Sequence, residues 1–228
     1  MFPSIRKWIS VMALPVALFA PALLAGDLST YRGFQFGMDL SAAVKRAEIK
    51  PSDAKMVHQR PAVIQDLSWR PPGVAGSPGE SDTVKDVLLS FYNGKLFRVV
   101  ANYDRYKTEG MTTEDVIGAV SVTYGVAAKP IAEILFPSSY SENVKVIARW
   151  EDAEFSVNLV QSPYQPSFAL VSFSKQLNDL AQAATVEAIR LDAQEAPQRE
   201  ADQRRQQADE VSAKQEKARL ANKPSFRP

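Results

Sequence analysis

The sequence predicts an α+β fold: two tandem helix–three-strand units that form an antiparallel sheet with helices on one face, then a long polar C-terminal tail that is helical or disordered. Three observations predict it. Gly37-Met38-Asp39 opens an apolar helical pattern, and Gly110-Met111-Thr112 opens another 73 residues later. Asn93-Gly94 stands between two β-rich runs, the mark of a two-residue hairpin. From Lys175 onward the aromatic residues almost vanish and charge takes over. The implied boundaries are 1–25, 26–108, 109–174 and 175–228.

Residues 1–25 carry a basic head (Arg6, Lys7), an apolar stretch from Trp8 to Ala25 and small residues at the end. That is the three-part layout of a secretory signal peptide. Cleavage after Ala22 or Ala25 suits it. The apolar stretch holds Pro15 and Pro21 and falls short of the ~20 residues a membrane span needs. The expectation is a periplasmic or secreted protein with no stable membrane span once this segment is removed.

In the first unit, Asp39 is placed to cap a helix with Leu40, Val44 and Ala47 on one face, ended by Pro51. Residues 61–69 read as a strand. Arg70 to Asp82 is rich in Pro, Gly and Ser and reads as a loop. The hairpin follows, with strands near 84–92 and 95–104. A type I′ turn at Asn93-Gly94 would face Tyr92 with Lys95, Phe91 with Leu96, Leu89 with Arg98 and Val87 with Val100.

In the second unit Thr112 and Asp115 have the spacing of a capping box. Val116, Ile117 and Val120 follow, and Tyr124-Gly125 is the stop. A linker holding Pro130 and Pro137 leads to strands near 144–151, 154–161 and 167–174. A turn at Asp152-Ala153 would pair Trp150 with Phe155, Ala148 with Val157 and Val146 with Leu159. That leaves Lys145, Ile147, Arg149, Ser156, Asn158 and Val160 on the other face, a sheet apolar on one side only. Aligning Gly37 with Gly110 sets Asp39 on Thr112, Val44 on Ile117 and Ala47 on Val120.

In the tail, Leu177, Leu180, Ala184, Ala188 and Leu191 can form one helical stripe up to Pro197. Beyond it the chain favours helix but has little to bury, so it is solvated helix or disorder. Apolar heptad positions do not persist past Leu191, which weakens a coiled coil.

Composition removes several chemistries. The chain has 27 basic and 26 acidic residues, or 25 and 26 without Arg6 and Lys7. Such a balance gives no electrostatic case for nucleic acid. There is no cysteine, so no disulfide, thiolate ligand or lipid-bearing cysteine. His58 is the one histidine and lacks a nucleophile-elbow serine or a zinc-binding partner motif. The spacings Tyr103–Lys107, Ser52–Lys55 and Ser172–Lys175 mimic catalytic pairs without their companion motifs. No cofactor and no metal is expected. Tyr103, Arg105 and Tyr106 at the end of the hairpin, and Tyr164 between prolines, are candidate partner-binding residues, because Tyr and Arg are overused at binding hot spots.

The Gly-Met-cap helix openings at Gly37 and Gly110, each leading to antiparallel strands, resemble SmpA/OmlA-type envelope proteins and β-lactamase-inhibitor-protein-like tandem domains. The resemblance covers about residues 33–174 in pattern. The absence of cysteine departs from both groups and carries no membrane anchor over. It implies a protein-binding scaffold. The expected function is an exported, non-catalytic protein-binding or envelope-assembly accessory protein. The alternatives are a carboxylate hydrolase using Asp66, Asp86 or Asp104 with a second acid, and a structural protein oligomerising through its C-terminal helix.

Overall fold

The computed structural model describes residues 26–72, 82–128, 145–161 and 167–225, together with Arg227. The signal-peptide expectation, the Pro130–Pro137 linker, Tyr164 and most of the 70–82 loop lie outside the described residues. A small hairpin comes first, β1 (Thr30–Tyr31) and β2 (Phe34–Gln35), then helix α1 (Leu40–Ala47). Strands β3 (Lys55–His58), β4 (Ile64–Trp69), β5 (Val84–Tyr92) and β6 (Lys95–Tyr103) precede helix α2 (Thr113–Tyr124). Strands β7 (Lys145–Glu151), β8 (Phe155–Gln161) and β9 (Phe168–Ser174) run directly into helix α3 (Lys175–Asn222).

The larger strands form one seven-stranded antiparallel sheet in the order β3-β4-β5-β6-β9-β8-β7. The two meanders meet at β6 and β9, where Val100 faces Val171 and Asn102 faces Ala169. One face carries Leu67, Leu89, Phe91, Leu96, Val157 and Leu159, buried with Val44 and Ala47 of α1 and Val116 and Val120 of α2. Each fully buried side chain of this size contributes about 1.5–3 kcal/mol.

The opposite face is not left to solvent, contrary to the one-sided sheet expected for the second unit. Ser156, Asn158 and Val160 are buried there, and Asn158 is satisfied by Arg149 Nε, Ser156 Oγ and the Val171 carbonyl. Ile147 packs instead against the core on the side of α1 and α2, because an irregularity between Val146 and Ala148 rotates it across the sheet. The base of α3 lies on the polar face, where Ala181 and Leu177 pack against Ile64, Phe97 and Tyr92.

Asn93 and Gly94 both have positive φ (47° and 78°), as a type I′ turn requires. Tyr92 faces Lys95 and Phe91 faces Leu96. Beyond them the pairing is Leu89 with Val99 and Val87 with Ala101, not with Arg98 and Val100. A bulge next to Phe91 adds one residue on β6, which sends Phe97 to the α3 side while Leu96 and Val99 stay in the main core. In the second hairpin the turn moves one residue on, because Asp152 Oδ1 accepts from the amides of Glu154 and Phe155. Trp150 then faces Val157 and Ala148 faces Leu159. The slip is two residues there, so Trp150 and Ala148 keep their core face. Val146, expected opposite Leu159, faces Val160 and packs with Val100 and Val171 on the opposite face because of the irregularity before Ala148.

The two helix entrances differ in detail. Thr112 N donates to Asp115 Oδ2 (2.9 Å) and Asp115 N to Thr112 Oγ1 (3.2 Å), a complete capping box. Asp39 makes no cap hydrogen bond; its carboxylate pairs with Lys95 across the hairpin at 2.9 Å. α1 ends at Ala47, with Glu48 in a left-handed conformation, before Pro51 is reached.

Candidate functional site

The β1–β2 turn, Arg32-Gly33, has positive φ at both residues (49° and 79°). It brings Arg32 against Asp82, whose carboxylate accepts both guanidinium nitrogens. That fork holds the Asp82 carboxyl below the usual carboxylate range. Arg46 of α1 reaches over the same turn and donates to the Arg32 carbonyl (3.0 and 3.3 Å), its guanidinium 5.7 Å from the Phe34 ring. Gly33 has a φ that side-chain-bearing residues rarely adopt, and a Cβ there would also displace the end of the Arg46 side chain, 1.9 Å away. Phe34 meets Trp69 edge-on at 5.0 Å.

These residues, with Met38, Lys45, Glu48, Pro71 and Pro72, line an open cleft of about 800 Å³ between α1 and the end of β4. Arg32 and Arg46 are both engaged in holding the hairpin down. Behind the cleft Tyr31, Tyr103 and Tyr124 belong to or pack against the main core. Burial raises the phenol pKa of all three, that of Tyr124 to about 12.

Tyr103 is therefore a core-side residue rather than part of an exposed patch. Its sequence neighbours behave differently. The 104–108 turn leaves Tyr106 69% exposed, with the Arg105 guanidinium 4.5 Å from its ring and bonded to its hydroxyl at 2.7 Å. Asp104 fixes the turn: its Oδ1 accepts from Tyr106 N (2.9 Å), and its carbonyl accepts from the Lys107 and Thr108 amides. Arg105 and Tyr106 are thus brought together, and Tyr103 is turned away from them.

Each of the three aspartates named for hydrolysis accepts a hydrogen bond from a neutral donor. Asp66 accepts from Ser90 Oγ at 2.7 Å, Asp86 from Asn102 Nδ2 at 2.6 Å, and Asp104 from backbone. His58 lies in the edge strand β3, half-buried. Among the described residues no cluster of three His, Cys, Asp or Glu could hold a metal ion. Among the same residues no helix is long and apolar enough to cross a membrane.

Of the expected stripe on α3, Ala184 and Ala188 are buried and Leu177 packs against the sheet, while Leu180 turns outward and Asn178 and Ala181 take its place. The helix has 48 residues and runs through Pro197. Its buried residues are Asn178, Ala181, Ala184 and Ala188, while Leu180 is 46% exposed. Arg60, in the β3–β4 connection, ties Glu195 and Asp192 down, and Arg199 closes on Asp192 through both its carboxylate and its carbonyl. Pro197, lacking an N–H, leaves the Ala193 carbonyl four residues back without its helical donor. Beyond Pro197 the helix is exposed almost all round, a rod of 25 residues (198–222) and about 38 Å. The visible signal was the Glu187–Arg190, Glu200–Arg204 and Glu216–Arg219 spacing, which supports helix without burial.

The fold and its surfaces define an α+β protein: one antiparallel sheet with two short helices on one face and a long helix leaving the other. No family model, curated protein or solved structure matches the chain.

Proposed function

We propose that the chain is an exported, non-catalytic protein that binds or helps assemble a partner of the cell envelope. The observation that carries this reading is the Arg105–Tyr106 pair. An exposed tyrosine with a guanidinium stacked on its ring and bonded to its hydroxyl, on a turn clamped by Asp104, is ordered before any partner arrives. Ordering in advance lowers the entropic cost of binding, and Tyr and Arg dominate hot spots. The three-part leader at residues 1–25 supports export.

A photo-crosslinking residue at Glu109 of the full chain should capture one defined envelope protein. Arg105→Ala with Tyr106→Ala should lower capture about tenfold or more, a loss of over about 1.4 kcal/mol. Undiminished capture by the double variant rejects this surface, and repeated capture of nothing rejects the binding reading. Amino-terminal sequencing of the mature protein should begin at Leu23 or Gly26; a start at Met1 rejects export by cleavage.

The finer architecture belongs to the same reading: the sheet is two copies of one helix–meander unit, the layout of the tandem envelope and inhibitor domains it resembles. Its support is order. α1 precedes β4-β5-β6, α2 precedes β7-β8-β9, and the last strands of the two meanders pair at the centre. Gly37 and Gly110 both enter their helices with positive φ (85° and 79°). Superposing α1 and β4–β6 on α2 and β7–β9 should match helix and all three strands together; a match of helices alone rejects duplication.

A further inference from the structure

The outer side of α3 carries features that the packing of its base does not use. Val186, Ile189 and Val211 are 67%, 59% and 53% exposed. At 100° per residue they share one arc of about 100° with Ala193, Ala208 and Ala218. The packed residues Ala181, Ala184 and Ala188 point the opposite way. A second helix could therefore lie along the outer stripe without touching the sheet.

Charge along the helix is split. Within α3, residues 175–202 hold six acidic and three basic residues, net −3, and residues 203–222 hold three acidic and five basic, net +2; Asp192 and Glu195 of the first half already pair with Arg60. The helix macrodipole does not account for this, because its effect is confined to about the first and last turn, and the acidic half extends about seven turns from Lys175. The sign changes at residues 202–203. The apolar stripe, from Val186 to Ala218, has its midpoint at 202 as well.

We propose that α3 pairs antiparallel with the α3 of a second copy of this chain, the two-fold axis passing beside Asp202. Antiparallel pairing lays each acidic half along the partner's basic half. Parallel pairing would stack each half on a half of the same sign. The register sets Val186 against Ala218 and Ala193 against Val211. In the middle, Glu200 meets Arg204, the two residues that already form an i,i+4 pair at 3.2 Å within one chain. The polar centre of the stripe is thus self-complementary, and small alanines allow the close approach. The pairing is independent of any partner at Arg105–Tyr106, and its failure would leave that reading standing.

The chain's lack of cysteine makes the test direct. In the full chain, Ala201→Cys lies near the axis, and its two copies differ by about 3 Å along the helix. Two copies of Ala218→Cys lie about 48 Å apart. Under mild oxidation Ala201→Cys should form a covalent dimer in several-fold higher yield than Ala218→Cys. A mixture of Val186→Cys and Ala218→Cys chains should cross-link to each other. High salt should lower all these yields. Efficient homotypic cross-linking of Ala218→Cys means parallel pairing and overturns the proposal. A monomeric chain in every arm overturns it too. So does co-sedimentation with phosphatidylserine vesicles while Ala201→Cys stays monomeric, which would assign the basic half to an anionic lipid surface.

Discussion

Two residues of the same expected role show how far local chemistry reaches. Thr112 and Asp39 both precede an apolar helix, but only Thr112 closes a capping box. The Asp39 carboxylate is taken by Lys95, 56 residues away, in an exposed pair. Thr112→Ala should cost about 1 kcal/mol in urea unfolding. Asp39→Ala should cost no more than about 0.5 kcal/mol, as exposed pairs do; equal losses would contradict the difference in capping. The Arg32–Asp82 fork gives a second residue-scale expectation. Asp82 has a lowered folded pKa because Arg32 bonds its carboxylate. A lowered pKa gives stability that is fully present above the unfolded value near 3.8 and is lost as pH falls through the folded value. Asp82→Asn should therefore unfold at lower urea than the parent at pH 7, and the two curves should converge as pH falls below the folded value of Asp82. A gap that persists at low pH would mean the fork is not the source.

At the scale of elements, legibility followed locality. The hairpin at Asn93-Gly94, the capping box and the extents of six strands are set by neighbours in sequence, and the residues show them. The register beyond Phe91 is set by a bulge that places Phe97 on α3, and α3 is about eighty residues further on. No pattern within β6 announces that. The β1–β2 turn was hidden for a related reason. Arg-Gly is a weak turn signal alone, and its geometry is held by Arg46 and Asp82. The candidate site divides likewise: Arg105 and Tyr106 are adjacent and emerged together, whereas Tyr103 is pulled toward Tyr31 and Tyr124 by the core. Phe97 is the joint between hairpin and long helix, only 3% exposed. Phe97→Ala should cost about 3–5 kcal/mol. It should also speed amide exchange at Ala181 and Ala184 more than at Val116 and Val120. Uniform acceleration across all four would mean that the joint is not local.

The molecule as a whole consists of a sheet buried on both faces and a rod fixed to it at one end. The composition break at Lys175 suggests a tail separable from the body, yet the first five turns of α3 help to cover the polar face of the sheet. Small residues are why this was hard to read. Ala181 buries little surface, but it lets the helix approach Phe97 and Ile64 closely, and Ala184 and Ala188 are buried beyond it. Leu180, the more apolar side chain, points outward. Removing the tail in two places separates the body's needs from the rod's. A chain ending at Asp202 keeps every contact of the base, including Arg60–Glu195 and Arg199–Asp192. In dilute solution, where copies are apart, its urea midpoint should equal that of the full chain when followed by Trp69 and Trp150 fluorescence. A chain ending at Ser174 uncovers Ile64, Phe97 and Tyr92 together. Uncovering three large side chains costs several kcal/mol at about 1.5–3 each, a sizeable part of the 5–15 kcal/mol typical of a domain. That chain should unfold at far lower urea or fail to fold. If both truncations unfold at the parental midpoint, the base of α3 contributes nothing to the sheet. If both fall equally, the rod is part of the body and its exposed half is stabilised within a single copy.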